Sequence, residues 1–283
     1  MTDLKKFLDA KKSNPRLIGD LERHLMARPL EDRSTTVLHP SEMVKADWCL
    51  RASYFALTGV PVKKDKPNLR LQSIFDEGHS IHAKWQNWFQ EMGVLYGKFQ
   101  CQVCGMFVTG TSPACQNCSN LTHMVYKEIT LVDKELKIAG HTDGWIKGIG
   151  DDCLIEIKSI GAGTLRFEAP ELLAKADGDL TKAWRSIRRP FGTHIRQGQM
   201  YLELAKRMFG EDAPKEIVFL YELKADQDYR EFTIKADYEF VEPIFEKAKI
   251  VVDAVAAGTP LECTNRGPLG CKQCLQFGDG NDA

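Results

Sequence analysis

Between Ile74 and Met92, apolar side chains return at every third or fourth position. Ile74, Gly78, Ile81, Trp85, Trp88 and Met92 form one stripe, which predicts an amphipathic helix, and His82 and Gln86 lie one turn apart on the adjacent face. Upstream, the first 40 residues hold a short helical pattern and a polar stretch at 33–36. A helix start at Ser41 and Glu42 leads to a hydrophobic segment at 49–59, and residues 61–68 (PVKKDKPN) read as a loop.

Downstream of a turn-rich segment at 97–120, the pattern changes to strand. Residues 125–132 and 137–147 predict two strands joined near 133–135, and residues 153–159 a third. A polar segment with Gly161, Gly163, Pro170 and Gly178 runs on to Pro190. Helix returns at 193–209, with Thr193 as its cap and Gly210 as its stop. Residues 215–223 and 229–234 predict a hairpin, and 238–257 a last helix. This order fits one α/β domain better than a repeated array.

Composition adds little to that picture. The chain has 283 residues, 43% hydrophobic and 27% charged, an ordinary globular balance. No run approaches the ~20 apolar residues of a membrane span, and the charged start MTDLKKFLDAKK lacks a signal peptide's apolar run. A cytoplasmic protein (host cytoplasm if phage-encoded) with no membrane partner is therefore expected. The net charge of −1 decides nothing about nucleic acid, so local patches matter more. One is visible: Lys182, Arg185, Arg188, Arg189 and Arg196, with Trp184 among them. It reads either as a solvated helix face or as a phosphate-binding patch with Trp184 stacking on a base.

The nine cysteines change the picture more. In a cytosolic chain, clustered cysteines point to metal ligands rather than disulfides. Cys101-x-x-Cys104 and Cys115-x-x-Cys118 form two knuckles able to close one tetrahedral, structural zinc site. Cys263, Cys271 and Cys274 lack a fourth ligand, which distant Cys49 can supply. Cys153, just before a predicted strand, reads as a buried apolar thiol.

The acidic chemistry lies in Gly140-His141-Thr142-Asp143-Gly144 and in Leu154-Ile155-Glu156-Ile157-Lys158. In a strand, Glu156 and Lys158 share one face while Ile155 and Ile157 enter the core opposite. Asp143, ending the preceding strand, can approach that polar face. Two carboxylates suit Mg²⁺ or Mn²⁺, and the Ile157 carbonyl offers a further ligand. Lys158 is placed to orient a water or to offset charge. An isolated E-x-K is nevertheless common on half-buried strands.

Two further motifs stand in order around it: Gly78-His79-Ser80-Ile81-His82-Ala83-Lys84-Trp85-Gln86 upstream, and Gln197-Gly198-Gln199-Met200-Tyr201 downstream. From about residue 47 to its end, the chain thereby resembles the RecB-like branch of the PD-(D/E)XK nuclease superfamily, including CRISPR-associated and AddB-type exonucleases. The resemblance implies a restriction-endonuclease-like α/β fold, a mixed central sheet flanked by helices. It implies that His82 joins Asp143 and Glu156 as metal ligands and that Lys158 acts in catalysis. Gln197 and Tyr201, one turn apart, would frame the site and hold DNA phosphate, while Gln199 points elsewhere.

The run DWCLRASYF at 47–55 resembles the N-terminal cysteine segment of the family's iron–sulfur members. This implies a [4Fe-4S] cluster on Cys49, Cys263, Cys271 and Cys274 that clasps the two ends of the domain. The late spacing, Cys263-x7-Cys271-x2-Cys274, departs from the familiar one by placing its long interval first, and a second zinc is the alternative. The implied organisation is an N-terminal helical extension (1–40), a first nuclease part (41–96), a zinc-ribbon insertion (97–122), the nuclease core (123–259) and a cysteine-rich tail (260–283). The implied activity is divalent-metal-dependent DNA phosphodiester hydrolysis, as a single-stranded DNA exonuclease in recombination, repair or phage DNA processing. DNA with free ends, and recombination or replication proteins, are the implied partners. A structure-specific or nicking endonuclease, and a non-catalytic zinc-containing DNA-binding component, are the alternatives.

Overall fold

The computed structural model describes residues 16–29, 34–63, 65–111, 114–119, 123–263, 265 and 271–277. The start of the expected N-terminal extension (1–15), turn residues 112–113 and the end of the expected tail (278–283) lie outside the described residues. Contacts divide the chain into two compact units. The smaller, within 1–33 and 64–77, holds helix α1 (Arg16–Ala27), where Lys66 Nζ donates to the Arg28 carbonyl at 2.8 Å. The larger, 34–63 and 78 onward, carries everything else.

The larger unit begins with α2 (Pro40–Met43) and α3 (Leu50–Leu57). Helix α4 (Leu69–Glu91) has its second half here. Among the described residues nine strands follow: β1 (Leu95–Cys101), β2 (Phe107–Gly110), β3 (Met124–Lys127), β4 (Ile129–Asp133), β5 (Ile138–Thr142), β6 (Gly144–Ile146), β7 (Cys153–Ile160), β8 (Glu216–Leu223) and β9 (Tyr229–Lys235). Seven of them make one sheet in the order β2-β1-β6-β7-β8-β9, with β3 also on β1, and β4 pairs with β5 in a separate ribbon. Among the described strand pairs of this sheet β7–β8 is parallel and the others antiparallel, so the sheet is mixed.

Alternation along β7 sets the two faces. Ile155 and Ile157 join Leu95, Ile146, Leu220 and Ile81 in one buried cluster beneath α4. Leu154 and Ile160 enter the larger core on the other face, against α8 (Gly192–Phe209) and α9 (Tyr238–Ala257). Glu156 and Lys158 therefore sit between two core residues on the larger core's face. Of the predicted α4 stripe only Ile81 is buried, and Ile74, Trp88 and Met92 are exposed. The helix meets the sheet through Ile81, Trp85 and Phe89, a narrower stripe than the periodicity implies.

Three local differences from the sequence reading have physical causes. The polar segment 161–190 contains three short helices, α5 (Ala162–Glu168), α6 (Pro170–Lys175) and α7 (Leu180–Ser186). Each is too short to display a period, and buried Leu165, Ala169, Ala183 and Trp184 anchor them. Thr193 lies inside α8 rather than capping it, because its Oγ1 donates to Glu168 at 2.6 Å and Phe191 takes the cap position. The two long predicted strands are each interrupted at a single residue, Glu128 and Asp143.

Candidate metal centre

Those two interruptions build the site. Ile129 pairs with Thr142 at the end of the β4–β5 ribbon, so Glu128 and Asp143 face each other one step beyond it. On the other side Gly144 pairs with Ile155, which brings Asp143 level with Glu156. Asp143 is thus flanked by an acidic residue on each side, where β5 leaves the ladder and β6 begins. Buried Thr142 staples the break, its Oγ1 donating to the carbonyls of Ile155 (3.1 Å) and Gly144 (3.2 Å). The Ile157 N–H finds no strand partner there and donates to Asp143 Oδ2 at 2.5 Å. In a strand the N–H and C=O of one residue point to the same side, so the Ile157 carbonyl also faces this opening.

Helix α4 supplies the next groups. His82 Nδ1 lies 2.9 Å from Asp143 Oδ1. Gln86, one turn on, donates through Nε2 to the Asp143 carbonyl (2.9 Å) and to Glu128 Oε1 (3.1 Å). Ligand atoms of His82, Glu128 and Asp143 all lie within 4.8 Å of one another, close enough to hold one ion. Sequence reasoning missed Glu128. Its one signal was the predicted hairpin register, which sets 128 opposite 143.

Glu156, expected beside His82 and Asp143, lies outside that tight trio but level with Asp143 across the sheet. Its Oε1 accepts from Lys158 Nζ at 2.7 Å, while Oε2 is buried without a hydrogen-bond partner among the described residues. Burial, opposed by Lys158 and reinforced by the Asp143 charge, pushes the Glu156 pKa up to about 7. Burial lowers the pKa of Lys158, but the charges of Glu156 and Asp143 outweigh it, so Lys158 stays an ammonium. Burial likewise pulls His82 down, and the hydrogen bond and charge of Asp143 reverse this to a net rise. Glu128 is exposed at the rim, yet desolvation of its carboxyl and then the Asp143 charge raise it.

A buried carboxylate oxygen without a donor is the state a hard cation satisfies. The donor set, three carboxylates, an imidazole and a strand carbonyl, fits Mg²⁺ or Mn²⁺.

Helix α8 closes the other side. Lys158 Nζ also donates to Gln197 Oε1 at 3.1 Å, and Gln197 Nε2 donates to the Tyr201 hydroxyl at 2.9 Å. Both residues are buried, so their polar atoms are engaged with each other and with Lys158 rather than offered outward. Gln199 does point elsewhere, its amide held by Lys235 and Asp237. His194, absent from the sequence reading, takes the Tyr221 hydroxyl on Nδ1 at 2.5 Å, and burial together with Lys158 depresses its pKa to about 3.

The basic patch divides. Lys182, Arg185, Arg188 and Arg189 are exposed, and Arg196 is half-buried with Nε donating to the Val44 carbonyl at 3.1 Å. Trp184 contradicts its expected role as a stacking platform. It is fully buried, with Nε1 donating to Asp228 at 2.7 Å, so neither ring face is available to a base.

Both cysteine sets converge. Cys101, Cys104, Cys115 and Cys118 form one tetrad, and Cys49, Cys263, Cys271 and Cys274 the other. Sulfur separations are 3.4–3.7 Å in the first (Cys104–Cys115, Cys118–Cys104) and 3.4 and 3.7 Å in the second (Cys49–Cys274, Cys49–Cys263). A Zn–S bond of 2.3 Å gives a tetrahedral edge of about 3.8 Å, so both fit a single ion as they stand. A cubane, with one thiolate per iron, would require the second set to spread. The Met106 backbone N–H lowers Cys104 to about 6, favouring its thiolate. Half-buried Cys153 has its pKa raised by burial to about 11, as an inert apolar thiol should.

The sequence matches no protein-family model, and no curated protein is similar enough to count as a relative. Among solved structures, the chain is similar to an alkaline exonuclease (LHK-Exo) from Laribacter hongkongensis, at 14% identity over 80% of this chain and 90% of that one, with a TM-score of 0.41. The same exonuclease in complex with dAMP aligns at 16% identity over the same shares, with a TM-score of 0.42. The structure of SSO0001 aligns at 13% identity over 87% of this chain and 96% of that one, with a TM-score of 0.35.

Proposed function

We propose that the chain is a divalent-metal-dependent DNA phosphodiester hydrolase acting as a single-stranded DNA exonuclease in recombination, repair or phage DNA processing. The observation that carries this reading is the meeting of Asp143, Glu156 and Lys158 at a break in the sheet, with one Glu156 oxygen buried and unpartnered. Asp143, Glu156, His82 and the Ile157 carbonyl would hold Mg²⁺ or Mn²⁺, which supplies Lewis acidity toward a phosphate.

The residues around it divide the remaining work. The Ile157 N–H fixes one Asp143 oxygen and His82 orients the other. Lys158 keeps its proton and lies where a phosphate oxygen or attacking water needs a positive donor. Gln197 and Tyr201 act through Lys158, holding its Nζ in place. Glu156 must lose its proton to serve as a ligand, so the site favours neutral to alkaline pH. The exposed cations Lys182, Arg185, Arg188 and Arg189 would bind backbone phosphates, a contact that carries no base preference.

The first cysteine tetrad is read as structural zinc. For the second, the family resemblance favours [4Fe-4S], and the close sulfur spacing favours zinc as the second reading. The deciding test of activity is cleavage of 5′- or 3′-labelled and circular DNA with Mg²⁺ or Mn²⁺, with Glu156→Ala as control. Labelled ends should be digested and closed circles spared. Cutting of circles would point to an endonuclease, and no cutting of any substrate to a binding component.

A further inference from the structure

Glu128 is the one acidic member of the centre that this reading leaves without work. It faces Asp143 across the end of the β4–β5 ribbon, and its carboxylate lies within 4.8 Å of ligand atoms of both His82 and Asp143. Gln86 holds it there while gripping the Asp143 carbonyl, so Glu128 is positioned rather than loose. Three carboxylates then stand in sequence, Glu128, Asp143 and Glu156. Lys158 pairs with Glu156 alone, and the free Glu156 oxygen is buried without a donor. Like charges this close cost energy unless a cation lies among them.

We propose that Glu128 is a ligand of the divalent cation, completing with His82 and Asp143 the half of the centre remote from Lys158. Asp143, with its two oxygens turned to different neighbours, is the residue shared by the two halves. The proposal rests on the metal-dependent reading above. It adds that the site's affinity for hard cations is set from the β3–β4 junction as well as from β7. A merely structural Glu128 would contribute to the stability of the metal-free chain, whereas a ligand crowded against Asp143 detracts from it.

The test is Mn²⁺ binding to the full chain, followed by electron paramagnetic resonance, with thermal unfolding in chelator alongside. Glu128→Gln keeps the shape and the Gln86 contact but removes the charge. It should weaken Mn²⁺ binding by about 10-fold or more, the scale on which altered metal surroundings act, and should leave the metal-free unfolding temperature equal or higher. Glu128→Asp, which keeps the charge, should bind Mn²⁺ more tightly than Glu128→Gln. Unchanged Mn²⁺ affinity in Glu128→Gln, or equal weakening in both variants, would overturn the assignment. A wild-type chain that binds no Mn²⁺ at all would overturn the metal-dependent reading itself, and this proposal with it.

Discussion

Glu156 is a carboxyl buried beside one ammonium and one further acid, and the balance of those forces gives it an unusual pH behaviour. Its pKa in the folded chain is raised to about 7. The associated stability is therefore fully present below the ordinary carboxylate range and is lost as pH rises through about 7. In chelator, Glu156→Gln should unfold at nearly the wild-type temperature at pH 5 and at a higher temperature at pH 8. The same variant should lose cleavage and the stabilisation that Mg²⁺ confers on wild type. A flat difference between the two proteins across that range would show that Glu156 is not held as described. Trp184 gives the opposite kind of prediction. Removing a fully buried indole should destabilise the fold by about 3–5 kcal/mol, read by denaturant unfolding. Trp184→Phe should leave DNA affinity unchanged, since the ring is fully buried.

At the scale of elements, the chemistry depends on how closely α8 lies on the sheet. Gly198, beside Gln197, permits that approach: a Cβ there would fall 2.5 Å from Phe219 Cζ and 3.2 Å from Ile217 Cδ1. Gly198→Ala should cost about 1–3 kcal/mol and, by lifting Gln197 from Lys158, reduce cleavage more than Mn²⁺ affinity. Equal loss of both would place the effect in folding alone. The same scale explains what the sequence could disclose. The strand around Ile155 and Ile157, and the shared face of Glu156 and Lys158, follow from alternation alone, and the segment 238–257 reads as helix with the bounds observed for α9. The breaks at Glu128 and Asp143 do not, because one residue of altered backbone leaves apolar alternation on either side intact. The burial of Trp184 escapes the sequence pattern for a related reason. Its basic neighbours are exposed, but the indole belongs to a helix of seven residues whose apolar side is too short to register as a period.

For the molecule as a whole, the second cysteine tetrad joins parts of the chain that are far apart in sequence. Cys49 and Cys274 are 225 positions apart, yet their sulfurs lie within 3.4 Å. Hydrogen bonds support the same junction: Cys49 N–H donates to Gln273 (2.9 Å), Gln273 to the Asp47 carbonyl (2.8 Å), and Lys63 N–H to the Gln276 carbonyl (2.8 Å). The tail helix α10 (Lys272–Leu275) has four residues and buries little besides Cys271, so it cannot hold this position by packing. A bound metal or cluster that closes a loop of such length is worth about 5 kcal/mol in the chain-entropy account, or roughly 10 °C in unfolding temperature for a chain of this size. Cys271→Ser should produce a loss of that order while leaving the metal content proposed for Cys101, Cys104, Cys115 and Cys118 unchanged. Metal analysis separates the two readings of the site. A cluster predicts iron and acid-labile sulfide that both vanish in Cys271→Ser, whereas a second ion predicts that zinc falls from two per chain to one. If Cys271→Ser changed neither metal content nor unfolding temperature, the tail would be docked by its hydrogen bonds alone, and the convergence of these four sulfurs would have no energetic role.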